Sequence, residues 1–171
     1  MTDQSKKPYS KKDYEESDYK AKVLASRFMM RDERFSLQEP VKKQKEAYKS
    51  HDIIMVRKHD GKQVKIEVEQ KRRWKKSGKW EGFMTIDVPY RKKDSKSDTF
   101  IMANLGWDTI AVAPMKDVLS SKTSCKNTKC SNVNTVKEKF FNVELEKFRF
   151  FKAASNDRKQ WTEIDKTGTV K

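Results

Sequence analysis

The stretch His51–Lys71, HDIIMVRKHDGKQVKIEVEQK, constrains this chain more than any other. Residues 52–58 and 62–71 are rich in Val, Ile and Met, and Asp60-Gly61 stands between them. Asp-Gly between two alternating apolar runs predicts a β-hairpin, because both residues accept the backbone angles of a tight turn. With Asp60 and Gly61 as the central turn residues, His59 pairs with Lys62. Asp52 then lies across from Glu69, with Cβ atoms roughly 4.5–5.5 Å apart. Side chains alternate along a strand. Ile53, Met55, Val64, Ile66 and Val68 therefore share a core-like face, and Asp52, Glu67, Glu69 and Lys71 share the other.

Carboxylates this close repel and raise one another's pKa. A divalent cation removes the conflict, since Mg²⁺ or Mn²⁺ takes hard oxygen ligands and keeps positions for water and phosphate. The plain alternative is a solvated hairpin face with a lysine among its acids, and spacing alone does not choose between the two.

Asp52 opening one strand, and Glu69-Gln70-Lys71 closing the next, resemble the signature of the PD-(D/E)XK nuclease superfamily. As a pattern of elements the resemblance covers residues 14–115, while its sharp motif positions are few. His51 stands where that family often has proline, and Glu67-Val68-Glu69 offers an E-x-E variant of the motif. The resemblance implies an α/β (α+β) fold with a restriction-endonuclease-like core. Its centre would be a mixed sheet of about five strands carrying the catalytic hairpin and flanked by helices. It implies that Asp52, Glu69 and the backbone carbonyl of Gln70 hold Mg²⁺ or Mn²⁺. Lys71 would orient the attacking water or neutralise the transition state, the latter being favoured because nearby carboxylates hold its proton. Glu67 is a further candidate acid. The family often places another on its first helix, and here that is Asp18, with Glu15 and Glu16 behind it; an acid that complements the helix dipole is the competing explanation. The reaction implied is hydrolysis of a phosphodiester, in DNA rather than RNA. The family includes homodimers that resolve DNA junctions, but no stretch here marks a dimer face.

Charge points the same way independently. The 171 residues carry a net charge of +15, dominated by lysine, which suits a polyanion and phosphate contacts more than base reading. After Lys71 comes RRWKKSGKWEGF, in which Arg72, Arg73, Lys75, Lys76 and Lys79 are interleaved with Trp74 and Trp80. Basic groups grip phosphates and aromatic rings can stack on unpaired bases, so this run, with Arg91–Lys93, is expected to hold nucleic acid. The alternative is a loop whose tryptophans close over the core. A basic protein that binds nucleic acid without cutting it, and a lysine-rich assembly protein, are the rival functions.

The remainder organises as a single domain. Residues 1–13 read as a disordered basic arm. A helix follows over 14–30, with Ala21, Leu24, Ala25 and Phe28 on one face. A short strand is expected at 34–38 and a helical turn at 40–50, the latter holding Glu46. Residues 83–93 are expected to form a strand and then a basic turn, with Pro89 marking its end or an edge; strands are expected at 99–103 and 109–113, and a helical turn at 116–119. Residues 120–135 read as a polar loop. The Phe-rich 139–152 reads as one bent strand or two short ones at a sheet edge, and 155–171 as a polar tail. The two cysteines, Cys125 and Cys130, do not make a zinc site by themselves, and two histidines are too few for a His-based metal site. No membrane or secretory segment is recognised, so a soluble intracellular protein with reduced thiols is expected.

Overall fold

The computed structural model describes residues 11–41, 52–129, 135–154 and 160–171. The fold is mixed α+β. Helix α1 (Lys11–Met30) begins inside the expected basic arm, whose residues 1–10 lie outside the described part. The apolar stripe holds: Ala21, Leu24, Ala25 and Phe28 are each at most 2% exposed. β1 (Phe35–Leu37) follows; residues 42–51, which take in most of the helical turn expected over 40–50 with its Glu46, and also His51, lie outside the described part. β2 (Ile53–Arg57) and β3 (Gln63–Gln70) form the predicted hairpin. Ile53, Met55, Ile66 and Val68 are buried against α1.

From β3 the chain leaves the sheet, forms β4 (Thr85–Pro89) and a 3-10 turn over Tyr90–Asp94, then returns as β5 (Thr99–Ala103). β5 lies parallel to β3, with Glu67 beside Phe100 and Glu69 beside Met102. Parallel neighbours cannot be joined by a tight turn, which is why this connection is long. β6 (Thr109–Pro114) makes a hairpin with β5, and the short helix α2 (Met115–Leu119) starts directly after Pro114. β7 (Lys122–Lys129), β8 (Thr135–Glu144), β9 (Arg149–Ala153) and β10 (Trp161–Ile164) complete the chain. One sheet has seven strands in the order β1-β2-β3-β5-β6-β9-β10, and a second has three, β4-β8-β7. α1 packs on one face of the large sheet. On the other, Phe100, Met102, Ala111 and Phe150 meet Ile86, Val88, Phe141 and Val143 of the small sheet.

Several expectations are corrected. The central sheet has seven strands rather than five, and its second face is covered largely by a sheet instead of helices. The polar 120–135 stretch contains β7, an edge strand that needs only one neighbour and buries little, so its Ser, Thr and Lys content gives no apolar period. The Phe-rich segment divides between the two sheets, and β9 lies inside the large one, between β6 and β10. Its paired phenylalanines serve opposite faces: Phe150 packs between the sheets and Phe151 under α1. The polar tail carries β10, whose Ile164 is 2% exposed and whose Trp161 stands edge-on to Phe28, centroids 5.4 Å apart. Among the described residues no helix is long and apolar enough to cross a membrane.

Candidate active site

The hairpin connection is longer than a two-residue turn. The Arg57 amide donates to the Lys62 carbonyl at 2.9 Å, and the Gly61 amide donates to the Arg57 carbonyl at 2.8 Å. Gly61 takes φ +70°, the left-handed region where it pays no Cβ penalty, and the Asp60 carboxylate accepts the Lys62 amide and pairs with Arg57. Residues 58–61 thus form the loop, and Ile53 pairs with Ile66. The register differs by two residues from the expected one. Both faces keep their residues, because a shift of two preserves the alternation. The next rung sets Asp52 beside Glu67, where Glu69 had been expected.

Four carboxylates gather where β2 begins and β3 ends. The Asp52 amide donates to the Ile66 carbonyl at 2.9 Å, and Asp52 Oδ2 accepts the Val68 amide at 2.8 Å, which fixes the side chain beside β3. β1 pairs with Met55–Arg57 and stops short of Asp52. From α1, Lys22 reaches this end of β2: its ammonium is 2.7 Å from Asp18 Oδ2 and 3.5 Å from Asp52 Oδ1. Glu67 and Glu69 meet Lys92, whose ammonium is 2.5 Å from Glu67 Oε1 and 3.9 Å from Glu69 Oε2. Ser95 Oγ donates to Glu67 Oε2 at 3.3 Å. Glu69 Oε2 is buried without a hydrogen-bond partner.

Burial dominates the electrostatics. Loss of water raises the Asp18 carboxyl above its ordinary value, aided by the Asp52 charge and opposed by Lys22. Glu67 is raised for the same reason, against the pull of Lys92. For Lys92 burial favours the neutral amine, but the charges of Glu69, Glu67 and Asp52 together outweigh it and its pKa is raised. The acids therefore outnumber the two ammoniums that hold them together.

The expected lysine stands elsewhere. Lys71 Nζ donates to the Asp87 carbonyl at 3.0 Å and so ties the end of β3 to β4. Lys92, expected to grip a strand, instead sits among the acids with its side chain 10% exposed. Pro89 ends β4, and the turn behind it aims this lysine back at β3. Lys22 was missed altogether, although its position one helical turn after Asp18 was a usable signal. The Gln70 side-chain amide is buried without a partner on the α1 side of β3. Glu15 and Glu16 precede Asp18 on α1 and make no contact with the cluster among the interactions described.

The basic loop is divided. Arg72, Arg73, Lys75, Lys76, Lys79 and Arg91 are exposed, with Lys76 3.0 Å from Glu81. Trp74 is 1% exposed, lies edge-on to Trp80 and Phe150, and donates its indole N–H to the Lys79 carbonyl at 3.0 Å. It belongs to the core and offers no face to a base, as the competing explanation for these tryptophans held. His59 sits in the hairpin loop, beside Asp60.

The donor set is all oxygen, which fits a hard divalent cation, and the orphaned Glu69 oxygen lacks a partner of its own. Among the described residues no three His, Cys, Asp or Glu converge as in a formed metal centre; lysines bridge the acids instead. Comparisons with family models, curated proteins and solved structures find no match to this chain.

Proposed function

We propose that the chain is a metal-dependent nuclease of the PD-(D/E)XK kind, with a restriction-endonuclease-like core, acting on DNA in preference to RNA. The observation that carries this reading is the gathering of Asp18, Asp52, Glu67 and Glu69, with an excess of acids over ammoniums, in a chain whose net charge is +15. An acidic centre in a basic protein suits metal-assisted phosphodiester hydrolysis: cations grip the polyanion and carboxylates can hold an ion at the reacting phosphate.

Asp52, Glu69 and the Gln70 carbonyl would hold Mg²⁺ or Mn²⁺, with Glu67 beside them. When bound, the ion lowers the pKa of a water molecule and stabilises charge on the phosphate. Asp18 keeps Lys22 turned toward Asp52. Lys92 already supplies positive charge at the carboxylates, and it is better placed than Lys71 to neutralise charge building on the phosphate. Lys71 holds β4 against the end of β3 and so supports the position of Lys92. Arg72, Arg73, Lys75, Lys76, Lys79 and Arg91 grip the backbone on either side of the cut.

The test is a cleavage panel of plasmid, linear duplex, single strand, branched DNA and RNA, with and without Mg²⁺ or Mn²⁺. Metal-dependent cutting is expected, and a wild-type protein that cuts none of these overturns the reading. One observation favours a second reading, a binder without chemistry: Lys22 and Lys92 already bridge the acids. Such a protein would bind nucleic acid equally with or without EDTA and cut nothing.

A further inference from the structure

A groove outside the acid cluster runs between α1 and the loop after β5. Its volume is about 360 Å³, and Tyr19, Lys20, Val23, Leu24, Arg27 and Trp107 line it. That is the size of a small-molecule pocket. Val23 and Leu24 make an apolar floor, Tyr19 and Trp107 add two aromatic rings, and Lys20 and Arg27 put positive charge at the rim. The Lys20 ammonium stands 6.0 Å from the centre of the Trp107 ring.

The position of Trp107 is held against local preference. Its φ is 58°, a left-handed conformation that is unusual for so bulky a residue. Conformations of this kind persist where the surroundings over-determine them, and they concentrate at functional sites. Here the surroundings are a polar network. Asn104, fully buried, accepts the amides of Asp108 and Thr109 on Oδ1, both at 3.1 Å, and donates Nδ2 to Asp108 Oδ1 at 2.8 Å. Thr109 Oγ1 donates to the same Asp108 oxygen at 3.0 Å and accepts the Gly78 amide at 2.8 Å. Burial alone would raise the Asp108 carboxyl, but hydrogen bonds from Ser77, Asn104 and Thr109 bring it below its ordinary value. The network fixes the loop and, with it, the indole.

We propose that this groove receives an unpaired nucleotide of the bound strand, its base stacked on Trp107 and its phosphates meeting Lys20 and Arg27. An apolar floor flanked by two aromatic rings, inside a cationic rim, matches a flat ring carrying an anion. A duplex keeps its base faces stacked on one another, so only an unpaired base has a face to offer. The groove shares α1 with one acid of the cluster. Tyr19 and Lys20 follow Asp18 directly on α1, and the loop leaves β5 where the Lys71 amide donates to the Ala103 carbonyl at 2.9 Å. The identity of the strand rests on the nuclease reading, whereas the stacking site does not depend on cleavage.

The test uses the full chain in EDTA, where nothing is cut, with fluorescein-labelled poly(dT), poly(rU) and a blunt DNA duplex followed by anisotropy. Trp107→Ala and the Lys20→Glu/Arg27→Glu pair should each weaken binding of at least one single strand by about tenfold or more. Trp107→Phe should retain most of the affinity, and duplex binding should change less in every variant. If Trp107→Ala lowers the folded population, the charge-reversal pair on exposed positions decides the matter, with circular dichroism as the check on folding. Wild-type affinity for both single strands in the charge-reversal pair overturns the proposal, as does an equal loss for the duplex. Cleavage with Mg²⁺ is scored separately. A wild type that cuts nothing, with groove variants that lose strand binding, removes the nuclease reading and keeps the groove. A wild type that cuts, with groove variants that bind normally, does the reverse.

Discussion

The Lys92 ammonium lies 2.5 Å from Glu67 Oε1 and 3.9 Å from Glu69 Oε2, so a residue of the connection between two parallel strands neutralises acids on the first of them. Removing one member of a buried pair leaves the other charged and unsolvated. Lys92→Met is therefore expected to destabilise the protein by about 3 kcal/mol in urea unfolding with EDTA present. Mg²⁺ should restore part of this, because a cation can take up the charge. Lys71→Met loses one charged hydrogen bond to a carbonyl and should cost less, roughly 1–2 kcal/mol, with no recovery from Mg²⁺. Identical behaviour of the two variants would remove the distinction drawn between these lysines.

Asp52→Asn and Glu69→Gln keep the shape of the site and remove charge. Each is expected to lower metal-dependent cleavage by on the order of a hundredfold or more, while nucleic-acid affinity in EDTA stays close to wild type. Single-turnover cleavage and anisotropy, measured on the same preparations, check both halves. Retained cleavage in both variants would exclude this cluster as the reacting centre.

Acidity should act on activity and on stability in opposite directions. The Asp18 and Glu67 carboxyls are raised above 3.8 and 4.5, chiefly by burial. A raised carboxyl binds its proton more tightly in the folded chain than in the unfolded one. The stability that it contributes is complete below the unfolded value and is lost as pH rises through the folded value. A cation held beside Glu67 calls instead for the ionised form of that carboxyl. The acid limb of the cleavage profile is thus expected above pH 4.5, the ordinary glutamate value. In EDTA, wild type should gain stability relative to Asp18→Asn/Glu67→Gln as pH falls through the same window. Urea midpoints across pH, beside a pH–rate profile, test both signs.

Ile164→Ala is expected to cost about 2–4 kcal/mol, the usual penalty for hollowing a packed site. Ile164 is 2% exposed and joins the core between the two sheets. An unchanged urea midpoint would return the last residues to the status of a tail.

The hairpin was legible because its signal is a parity. Ile53, Met55, Ile66 and Val68 all reach the core, and that result survives any shift of the register by two. The loop length was not legible: Arg57 and Lys62 close a four-residue connection, and nothing in Asp-Gly alone excludes one. α1 was legible because its buried stripe follows one helical face. β7 was missed for the opposite reason, since an edge strand can be almost wholly polar where it needs only one neighbour; β10 was missed because it is four residues long and its Trp161 and Ile164 stand among polar neighbours. Asp52, Glu67, Glu69 and Asp18 could be gathered from local spacing and resemblance. Lys92 could not, because only the docking of the connection between β3 and β5 brings it to them. Trp74 looked like a binding residue in a basic run, and its burial depends on Phe150, far along the chain.

That same connection has a mechanical consequence. The chain lends β4 to the small sheet and carries Lys92 back on the return leg, so one excursion of backbone stitches the carboxylates to a second layer. Fraying of the small sheet would unhook the ammonium while the ladder of the large sheet stayed closed. Competence would then vanish under mild stress before the helix or the large sheet had melted.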